Sequence, residues 1–416
     1  MKSKFKLFFI YFLSIIFVIT FPSLSSPVKV TYPKPIASSP DYGVSNYTIS
    51  QNVKYYVEIN FSLIHKSINN SEYLFKFARM NDRQPSSSTT QFSPPYQESK
   101  LIFSNIIGSN NPPYLLQDKF NNTYDVFNNT LSYGEIISLN QKYNITLNEV
   151  VFKGIKEVDS VYNMSDNMFE LYSNNSELYY ERNNTALIDE SNNIVAGITD
   201  PILKAKAIYN WVSAYLEYTE DLPAQEKGAL WAYNNEKGDC SEYSSLMITL
   251  LRIQNIPARK VTGFLISNNP ATRPHIGDDW EFTLSRNDGI VTSDFLGHAW
   301  VEYYVPEIGW IASDPTWGAS SSNYFNKNDY LRFHLNVGQW FPIPELSDDS
   351  EFPNPCIVYD KDSSFEFNYQ VTITVIEANL TPLEPFPFIF IIFIVVGTSC
   401  VVISLSLIIR KRKTGL

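Results

Sequence analysis

The sequence predicts an α+β protein with an N-terminal antiparallel β-sandwich, a second domain of mixed helix and sheet, and a C-terminal transmembrane helix. Three observations predict this arrangement. Residues 27–155 contain segments in which apolar and polar side chains alternate, as they do in strands. Residues 200–380 combine helical apolar spacing with further alternating segments. The run 388–409 is apolar and contains no charged residue.

Length and composition agree with two packed domains. A chain of 416 residues is longer than one ordinary domain. With 44% hydrophobic and 15% aromatic residues it can build packed cores, which excludes wholesale disorder. A net charge of -11 argues against a nucleic-acid binder, because such proteins need a basic surface to meet phosphates.

Both ends of the sequence predict contact with a membrane. Residues 1–25 have the cationic start, short apolar run and small residues of a secretory signal peptide, although an uncleaved anchor is an alternative. The run 388–409 is long enough to cross a lipid bilayer, and the cations in the tail 410–416 favour the cytoplasmic side. We therefore expect a single-pass protein of the cell membrane with its bulk outside the cell.

Acceptor sites for N-glycosylation agree with an extracellular location, although chance matches are expected in a chain rich in Asn. The candidates are Asn46, Asn60, Asn69, Asn121, Asn128, Asn144, Asn163, Asn174, Asn183 and Asn379. None lies between residues 184 and 378. This spacing predicts that sugars are tolerated on the first half of the chain and absent from most of the second.

The first domain shows no group of residues suited to catalysis. "VKYYVEINFSLI", "KLIFSNII" and "YNITLNEVVF" predict strands of the sandwich over 27–155. His65 is the one histidine there, which favours a structural role. Residues 156–199 are polar and predict a linker in which short helices can form.

A helix opens the second domain at residue 200. Asp200 and Pro201 form a favourable cap and first-turn pair. The apolar positions after them recur at helical spacing. They are Ile202, Ala205, Ile208, Tyr209 and Val212.

Cys240 is placed where a polar turn becomes a helix, in "KGDCSEYSSLMITLLRIQ". The positive end of the helix dipole favours a reactive thiolate at this position. Three other roles remain open: a small buried hydrophobe, a disulfide partner of Cys356, or a metal ligand. The metal is poorly supported, because no second Cys or His lies at ligand spacing.

His298 is the preferred base for such a thiol. In "GHAWVEYYVPEIGWIASDPTWG" the alternation predicts a half-buried strand, and a hairpin about Pro306 would place His298 directly opposite Asp314. A carboxylate that orients an imidazole is the arrangement of a Cys-His-Asp triad. His275 is a rival base, but it lies in a polar loop without a carboxylate in strand register.

Taken together, these segments resemble the transglutaminase-like superfamily of cysteine enzymes. "GDCSEYSSLMITLLRIQNIPARKVTGF", "GHAWVEYYVPEIGW" and "SDPTWG" contain its three blocks in the family order, between about Ile208 and Trp317. The resemblance implies a papain-like catalytic core over 200–380, with Cys240 as nucleophile, His298 as base and Asp314 as orienting acid, and no cofactor. A preceding sandwich and a following anchor are similar to membrane-anchored prokaryotic members. Asn255, where the family often has Gly, affects a turn only.

Several other residues are candidates for roles around such a site. Acyl transfer needs donors for a developing oxyanion. The N–H of Cys240 is the first candidate, and Trp211 or Tyr218 can supply a second, although core packing is the commoner role of such aromatics. Trp300 and Trp310 are candidates for the wall of an acyl pocket, and packing in the core explains them equally well.

Two groups of charged residues favour structural roles. Arg259 is expected to pair with Glu242 or Glu302. Asp360 and Asp362 predict a turn, since the Gly and distant Glu of a calcium loop are missing.

The sequence thus predicts a thiol enzyme that attacks amide bonds of a protein or peptide substrate outside the cell, through a thioester on Cys240. Water would complete the reaction of a protease or amidase, and an amine that of a cross-linking enzyme. The alternative is an inactive domain of the same fold, used as a surface module for adhesion or assembly.

Overall fold

The computed structural model describes residues 47–382 apart from 81–92, 110, 119, 153–161, 166, 174–178, 223–225, 307, 320–322 and 339–353. The predicted signal segment 1–25, the apolar run 388–409 and the tail 410–416 lie outside the described residues. Within the described ranges, no helix is both long enough and apolar enough to span a bilayer.

The described part contains three antiparallel sheets, one two-stranded parallel sheet and a smaller set of helices. The strands are β1 (Tyr47–His65), β2 (Ser71–Ala78), β3 (Gln97–Ile107), β4 (Tyr114–Gln117), β5 (Thr123–Leu131), β6 (Ile136–Phe152), β7 (Glu217–Tyr218), β8 (Lys237–Gly238), β9 (Ala258–Leu265), β10 (Asp279–Asn287), β11 (Ile290–Ser293), β12 (Leu296–Val305), β13 (Gly309–Ser313), β14 (Lys327–Asn328), β15 (Arg332–Gly338), β16 (Cys356–Tyr359) and β17 (Phe365–Asn379). The helices are α1 (Asn167–Tyr172), α2 (Thr185–Ile194), α3 (Pro201–Tyr215), α4 (Ala229–Asn235), α5 (Cys240–Ile253) and α6 (Pro315–Ala319).

The largest sheet has the strand order β11-β10-β17-β1-β6-β14, with β3 also paired to β6. It shares one apolar core with the sheet of order β16-β2-β5-β4, so the predicted sandwich is present. Strand β1 shows the alternation expected of a sandwich strand, because every second side chain enters this core. Its inward residues are Val53, Tyr55, Val57, Ile59, Phe61 and Leu63.

The sandwich is not confined to residues 27–155. Strand β17 pairs with β1 from Asn52↔Asn379 to His65↔Phe365, β10 pairs with β17, and β16 pairs with β2. The boundaries predicted at 27–155 and 200–380 therefore cut through one sheet. Local alternation identifies a strand but not its distant partner. Strands β10, β16 and β17 are therefore assigned to the second domain by their position in the sequence. The pairing also brings Asn52 and Asn379 to the same end of the sheet, near the start of β1.

The second domain is built on the sheet β13-β12-β9-β15. One face packs under α3 and α5, where Val301 and Tyr303 meet Tyr243 and Leu246. The other face carries Trp300, Tyr304 and Trp310, covered by Phe120 and Tyr172. Strand β12 is therefore buried on both faces from His298 onward, not half-buried as predicted. The covering layer comes from segments distant in sequence, so local alternation could not indicate it.

Helices α3 and α5 begin where the sequence predicts. The Oδ1 atom of Asp200 accepts a hydrogen bond of 2.7 Å from the N–H of Leu203, which caps α3. The five predicted apolar residues of α3 are all buried. Helices α1 and α2 lie in the predicted linker 156–199, and Asn184 caps α2.

The two groups of charged residues have structural roles, as predicted. Arg259 and Glu302 are direct partners across β9 and β12 and form a buried ion pair of 2.7 Å. The guanidinium carbon of Arg259 lies 3.9 Å from the centre of the Trp310 ring. Near the start of β17, the N–H of Ser363 donates to the carbonyl of Asp360 at 2.8 Å, which closes a turn.

Candidate active site

Cys240 is the first residue of α5, and a capping box holds it there. The Oδ1 atom of Asp239 accepts from the N–H of Ser241 at 2.7 Å, and Oε2 of Glu242 accepts from the N–H of Asp239 at 3.2 Å. Gly238 is required before this turn, because a Cβ there would lie 2.3 Å from Cβ of Glu242. The N–H of Cys240 is a donor of the first turn that the capping box does not use.

The buried ammonium group of Lys260 binds the first turns of α5 from the side of the sheet. Nζ of Lys260, on β9, donates to the carbonyl of Ser241 at 3.2 Å and to the hydroxyl of Ser245 at 2.8 Å. It also forms an ion pair of 2.5 Å with Glu226. This cluster ties the start of the cysteine helix to the sheet.

The Cys240 side chain is half-buried and takes part in no disulfide. Cys356, its predicted alternative partner, begins β16 and packs with Tyr124 and Val126 in a separate apolar cluster. One cysteine therefore begins a helix and the other begins a strand of the β16-β2-β5-β4 sheet, and the disulfide that the sequence allows between them is not formed.

His298 and Asp314 are in direct contact, as predicted. Nε2 of His298 lies 2.7 Å from Oδ2 of Asp314, and both side chains are buried. Because an ionised carboxylate can only accept, Nε2 must carry the proton of this bond. The other ring nitrogen, Nδ1, is then left as the acceptor for a thiol proton.

The contact forms through a different register from the predicted one. The hairpin pairs Val301 with Ser313 and Val305 with Gly309, so its centre lies one residue later than Pro306. Asp314 follows the end of β13 and is displaced by two residues from the position opposite His298. Since side chains alternate between the faces of a strand, a shift of two keeps both residues on one face. The two residues are therefore diagonal neighbours across the hairpin, not a directly opposed pair.

The thiol lies beside the residue that follows His298. Burial raises the pKa of the Cys240 thiol well above its usual range, and the charge of Asp239 raises it further. A hydrogen bond from the Ala299 backbone and the charge of Lys260 act in the opposite direction. The expected benefit of the helix dipole is thus outweighed, and the resting sulfur needs a base to remove its proton.

Arg332, on β15, is a neighbour of Asp314 that the sequence did not indicate. Its Nη2 atom donates to Oδ2 of Asp314 at 2.8 Å, and its Nη1 atom lies 2.6 Å from Oδ2 of Asp329. The rings of Trp317 and Tyr324 lie 4.1 and 4.3 Å from the guanidinium carbon. No sequence signal identifies this role, because the sequence does not distinguish an arginine that contacts the active site from one at a sheet edge or in an ordinary ion pair.

The remaining oxygen of Asp314 is held by backbone groups. Oδ1 accepts hydrogen bonds from the N–H groups of Thr316 and Trp317 at 3.1 and 3.3 Å. Burial alone would raise the pKa of Asp314, but His298 and Arg332 outweigh it and lower the pKa to about 2. Asp314 is therefore ionised at neutral pH.

Of the two residues predicted as oxyanion donors, Tyr218 lies near the thiol. It pairs with Gly238 in the β7–β8 ladder, two residues before Cys240, and burial together with the charge of Cys240 raises the pKa of its phenol. Its ring is still half-exposed. Trp211 instead stacks on Tyr215 with ring centres 4.2 Å apart, in the helical core.

The two tryptophans weighed as pocket walls belong to the core. Trp300 is 1% exposed and stacks on His298 with ring centres 5.9 Å apart. Trp310 is fully buried above Arg259. Neither lines an open acyl pocket. Trp317, with its ring centre 6.3 Å from that of His298, is the aromatic neighbour on the Arg332 side.

The other histidines occupy different surroundings. The side chain of His275 is 82% exposed in the loop before β10, with Nδ1 3.5 Å from Asp278. His65 is buried and bonds to the Tyr73 hydroxyl at 2.7 Å, as a structural histidine would. His334 is buried between Tyr96 and Trp300. His298 is therefore the histidine whose carboxylate contact lies beside Cys240.

Comparison with known proteins places these residues in one family segment. A family described as the transglutaminase-like superfamily matches residues 189–315, which include Cys240, His298 and Asp314. Over 86 residues the chain is 34% identical to the protein-glutamine gamma-glutamyltransferase of Pseudomonas aeruginosa, covering 20% of this chain and 11% of that protein. Over 132 residues it is 29% identical to the uncharacterized protein YebA of Bacillus subtilis, covering 30% and 17%. The chain thus spans less than a fifth of either relative.

A solved structure shares the fold over most of the chain. It is described as a candidate cysteine protease from Cytophaga hutchinsonii, with a TM-score of 0.51 and 15% identity. The match covers 82% of this chain and 96% of that one. At this identity the likeness concerns the fold alone.

Proposed function

Because residues 189–315 match the transglutaminase-like superfamily, we propose that the chain is a thiol enzyme that transfers acyl groups from amides of proteins or peptides. The observation that carries the proposal is the buried contact of 2.7 Å between His298 and Asp314, with the Cys240 thiol beside Ala299. A nucleophile, a base and a group that orients the base are the three parts that thiol acyl transfer requires.

The first half of the reaction forms a thioester. Nδ1 of His298 accepts the thiol proton while Sγ of Cys240 attacks the amide carbonyl carbon. Asp314 accepts from Nε2 and stabilises the imidazolium that forms. The imidazolium then gives its proton to the departing nitrogen, the C–N bond breaks, and an amine or ammonia leaves.

The second half regenerates the thiol. Water or an amine attacks the thioester, and His298 accepts a proton from it. The C–S bond breaks, and the sulfur takes the proton back from the imidazolium. The product is a carboxylic acid if water attacks, and a new amide if an amine attacks.

The oxyanion formed in both halves needs preorganised donors. The N–H of Cys240 is proposed as the first donor, because it lies at the positive end of α5. Tyr218 is proposed as the second, because it pairs with Gly238 near Cys240 and its raised pKa keeps the phenol protonated. Its hydroxyl donates to Oε1 of Glu220 at 3.4 Å in this structure.

Alkylation by iodoacetamide tests the pairing of thiol and base. Label on Cys240 should disappear in Cys240→Ala, and the labelling rate should fall by about tenfold or more in His298→Ala. Cys356→Ala and His275→Ala are matched controls and should label like the native chain, since the first residue is buried in the sandwich and the second is exposed on a loop. Equal labelling of the native chain and His298→Ala would leave an exposed thiol and support the inactive surface module instead.

Two product assays separate the reaction types. Incorporation of a fluorescent amine into a glutamine-bearing protein would identify a transferase. New peptide N-termini would identify a protease. Neither product, with labelling that still depends on His298, would limit the function to small amides.

We also propose that the module is exported, glycosylated and anchored in the cell membrane by residues 388–409. The apolar runs and the terminal cations support this. The chain enters and leaves the large sheet at the same end, which suits attachment to one membrane. Several predicted acceptors have exposed side chains: Asn69, Asn121, Asn128, Asn163 and Asn183. Asn46 and Asn174 lie outside the described residues.

Protease treatment of intact cells tests this location. It should release a fragment with Cys240 and leave a stub with Leu416 in the membrane. Release of Cys240 only after permeabilisation would place the site in the cytoplasm.

A further inference from the structure

We propose that Arg332 and Asp329 form a positioning pair for Asp314. The pair fixes the orientation of the Asp314 carboxylate and limits the net negative charge near the Cys240 thiol. The inference rests on the proposed function, because it assigns a role within the same site. It adds two residues to the machinery that neither the family motifs nor the sequence indicated.

The contacts form a chain that leads from β15 to the imidazole. Asp329 is itself fixed, since its Oδ2 atom accepts from the Tyr324 hydroxyl at 2.6 Å and its Oδ1 atom accepts from the N–H of Leu331 at 3.0 Å. Arg332 bridges Asp329 to Asp314 and is 1% exposed. Asp314 in turn contacts His298.

The two rings make this bridge rigid. Trp317 and Tyr324 both lie within 4.3 Å of the guanidinium carbon. A buried arginine between two carboxylates and two aromatic rings would lose these contacts in another rotamer. The orientation of Asp314 is therefore imposed by Arg332 on β15 as well as by the first N–H groups of α6, which begins at the next residue.

The charges explain why an arginine and a second aspartate occur together. Arg332 and Asp329 cancel, so Asp314 contributes one net negative charge, which matches the imidazolium formed during attack. Asp314 and Asp239 both oppose ionisation of Cys240. Without Arg332, the buried carboxylates of Asp314 and Asp329 would lose the cation that they share. Their combined negative charge would then oppose ionisation of the Cys240 thiol more strongly.

The groups that set the charge around Cys240 and Asp314 come from several elements. They are Tyr209 on α3, Tyr218 on β7, Asp239 before α5, Lys260 on β9, His298 on β12, Tyr324 and Asp329 before β15, and Arg332 on β15. Arg332 is the cation among them that contacts Asp314 directly.

The experiment measures the rate of Cys240 alkylation against pH in the full chain, with melting temperature as the test of folding. In Arg332→Met the added negative charge should move the midpoint of the rate profile up by about one pH unit and slow labelling at neutral pH by about tenfold. In Asp329→Asn the midpoint should move down. In the double variant Arg332→Met/Asp329→Asn the midpoint should return toward the native value. Arg332→Lys should keep the native midpoint but label more slowly, because one ammonium cannot reproduce the fork.

Arg259→Met is the matched control. Arg259 is also a buried arginine, with a carboxylate partner and an aromatic ring, but its partner is Glu302. Its loss should lower the melting temperature and leave the midpoint unchanged.

An unchanged midpoint and rate in a folded Arg332→Met variant would overturn the inference. If that variant does not fold, Asp329→Asn decides, because it keeps the contact between Arg332 and Asp314; an unchanged midpoint there would overturn the inference too. The proposed function fails separately, since it requires only that labelling depends on His298.

Discussion

At the scale of single residues, Asp314 carries the sharpest prediction about turnover. Asp314→Asn should leave the fold intact and lower kcat strongly, because an amide cannot stabilise the imidazolium and favours the wrong tautomer. In a Ser-His-Asp triad the same change costs about 10⁴-fold. Amine incorporation and melting temperature would measure the two effects. Full activity in a folded variant would move the role of orienting acid to another residue.

Asp314 also makes stability depend on pH. Its pKa falls from the ordinary value of 3.8 to about 2 in the folded chain. A lowered pKa stabilises the folded state when the group is ionised, so the contribution is fully present above about pH 4 and is lost as the pH falls toward 2. The amount is on the order of 2 kcal/mol.

Urea unfolding at several pH values measures this contribution. The difference in unfolding free energy between the native chain and Asp314→Asn should be constant above about pH 4 and should shrink as the pH falls toward 2. Asp278→Asn is a suitable control, since that carboxylate lies in the exposed loop with His275. A difference that does not change with pH would contradict the lowered pKa.

At this scale, the type of residue decides whether its role can be predicted from the sequence. Cys240, His298 and Asp314 could be predicted because each has a rare or reactive side chain in a recognisable segment. Arg332 could not, because its partners are set by the way β15 returns beside β9. The high pKa of the thiol was also missed, since the helix dipole is a local property and burial is not.

At the scale of elements, the close approach of β9 and β15 depends on Gly263. This glycine pairs with His298 on one side and His334 on the other. A Cβ added there would lie 1.7 Å from the carbonyl oxygen of Phe333. Gly263→Ala should therefore push β15 away and destabilise the fold by about 1–3 kcal/mol or more.

Thermal unfolding and alkylation would measure this effect together. Because β15 carries Arg332, labelling of Cys240 should slow as well. Gly297→Ala is the matched control on the neighbouring strand, since a Cβ there meets no atom within 4 Å. Equal melting temperatures for the two variants would show that β15 can adjust without cost.

The hairpin shows what decides an element's register. The sequence located both strands and placed the turn at Pro306. The ladder is instead closed at Gly309, whose φ of 99° only glycine adopts readily, and this moves the centre by one residue. The predicted contact between His298 and Asp314 is nevertheless present, because the alternation determines which face of the strand each side chain occupies, and both remain on the same face.

At the scale of the whole molecule, the shared sheet predicts that the second domain does not fold alone. A fragment of residues 200–382 would keep β10 and β17 but lose β1, and with it the partner of β17. The exposed apolar strand should make this fragment aggregate. The fragment 47–382 should be monodisperse.

Size-exclusion chromatography and circular dichroism of the two fragments would test this. A cooperative transition of residues 200–382 at the melting temperature of the longer fragment would show that the sandwich is dispensable. The domain boundaries could not be predicted because composition changes gradually along the chain, while the pairing of β1 with β17 joins residues more than 300 positions apart.

The chain enters β1 and leaves β17 at the same end of the sheet, which has a mechanical consequence. The segments before β1 and after β17 are called the two flanks here. Strands β1 and β17 are antiparallel neighbours, and the start of one lies beside the end of the other. A force that separates the two flanks would load the ladder from that end, so its hydrogen bonds would break one pair after another, as in a zipper. A force on both flanks in the same direction would leave the ladder unloaded. A protein attached through both flanks would therefore keep this ladder intact when both flanks are pulled in the same direction. The ladder would open at low force if the flanks were pulled apart.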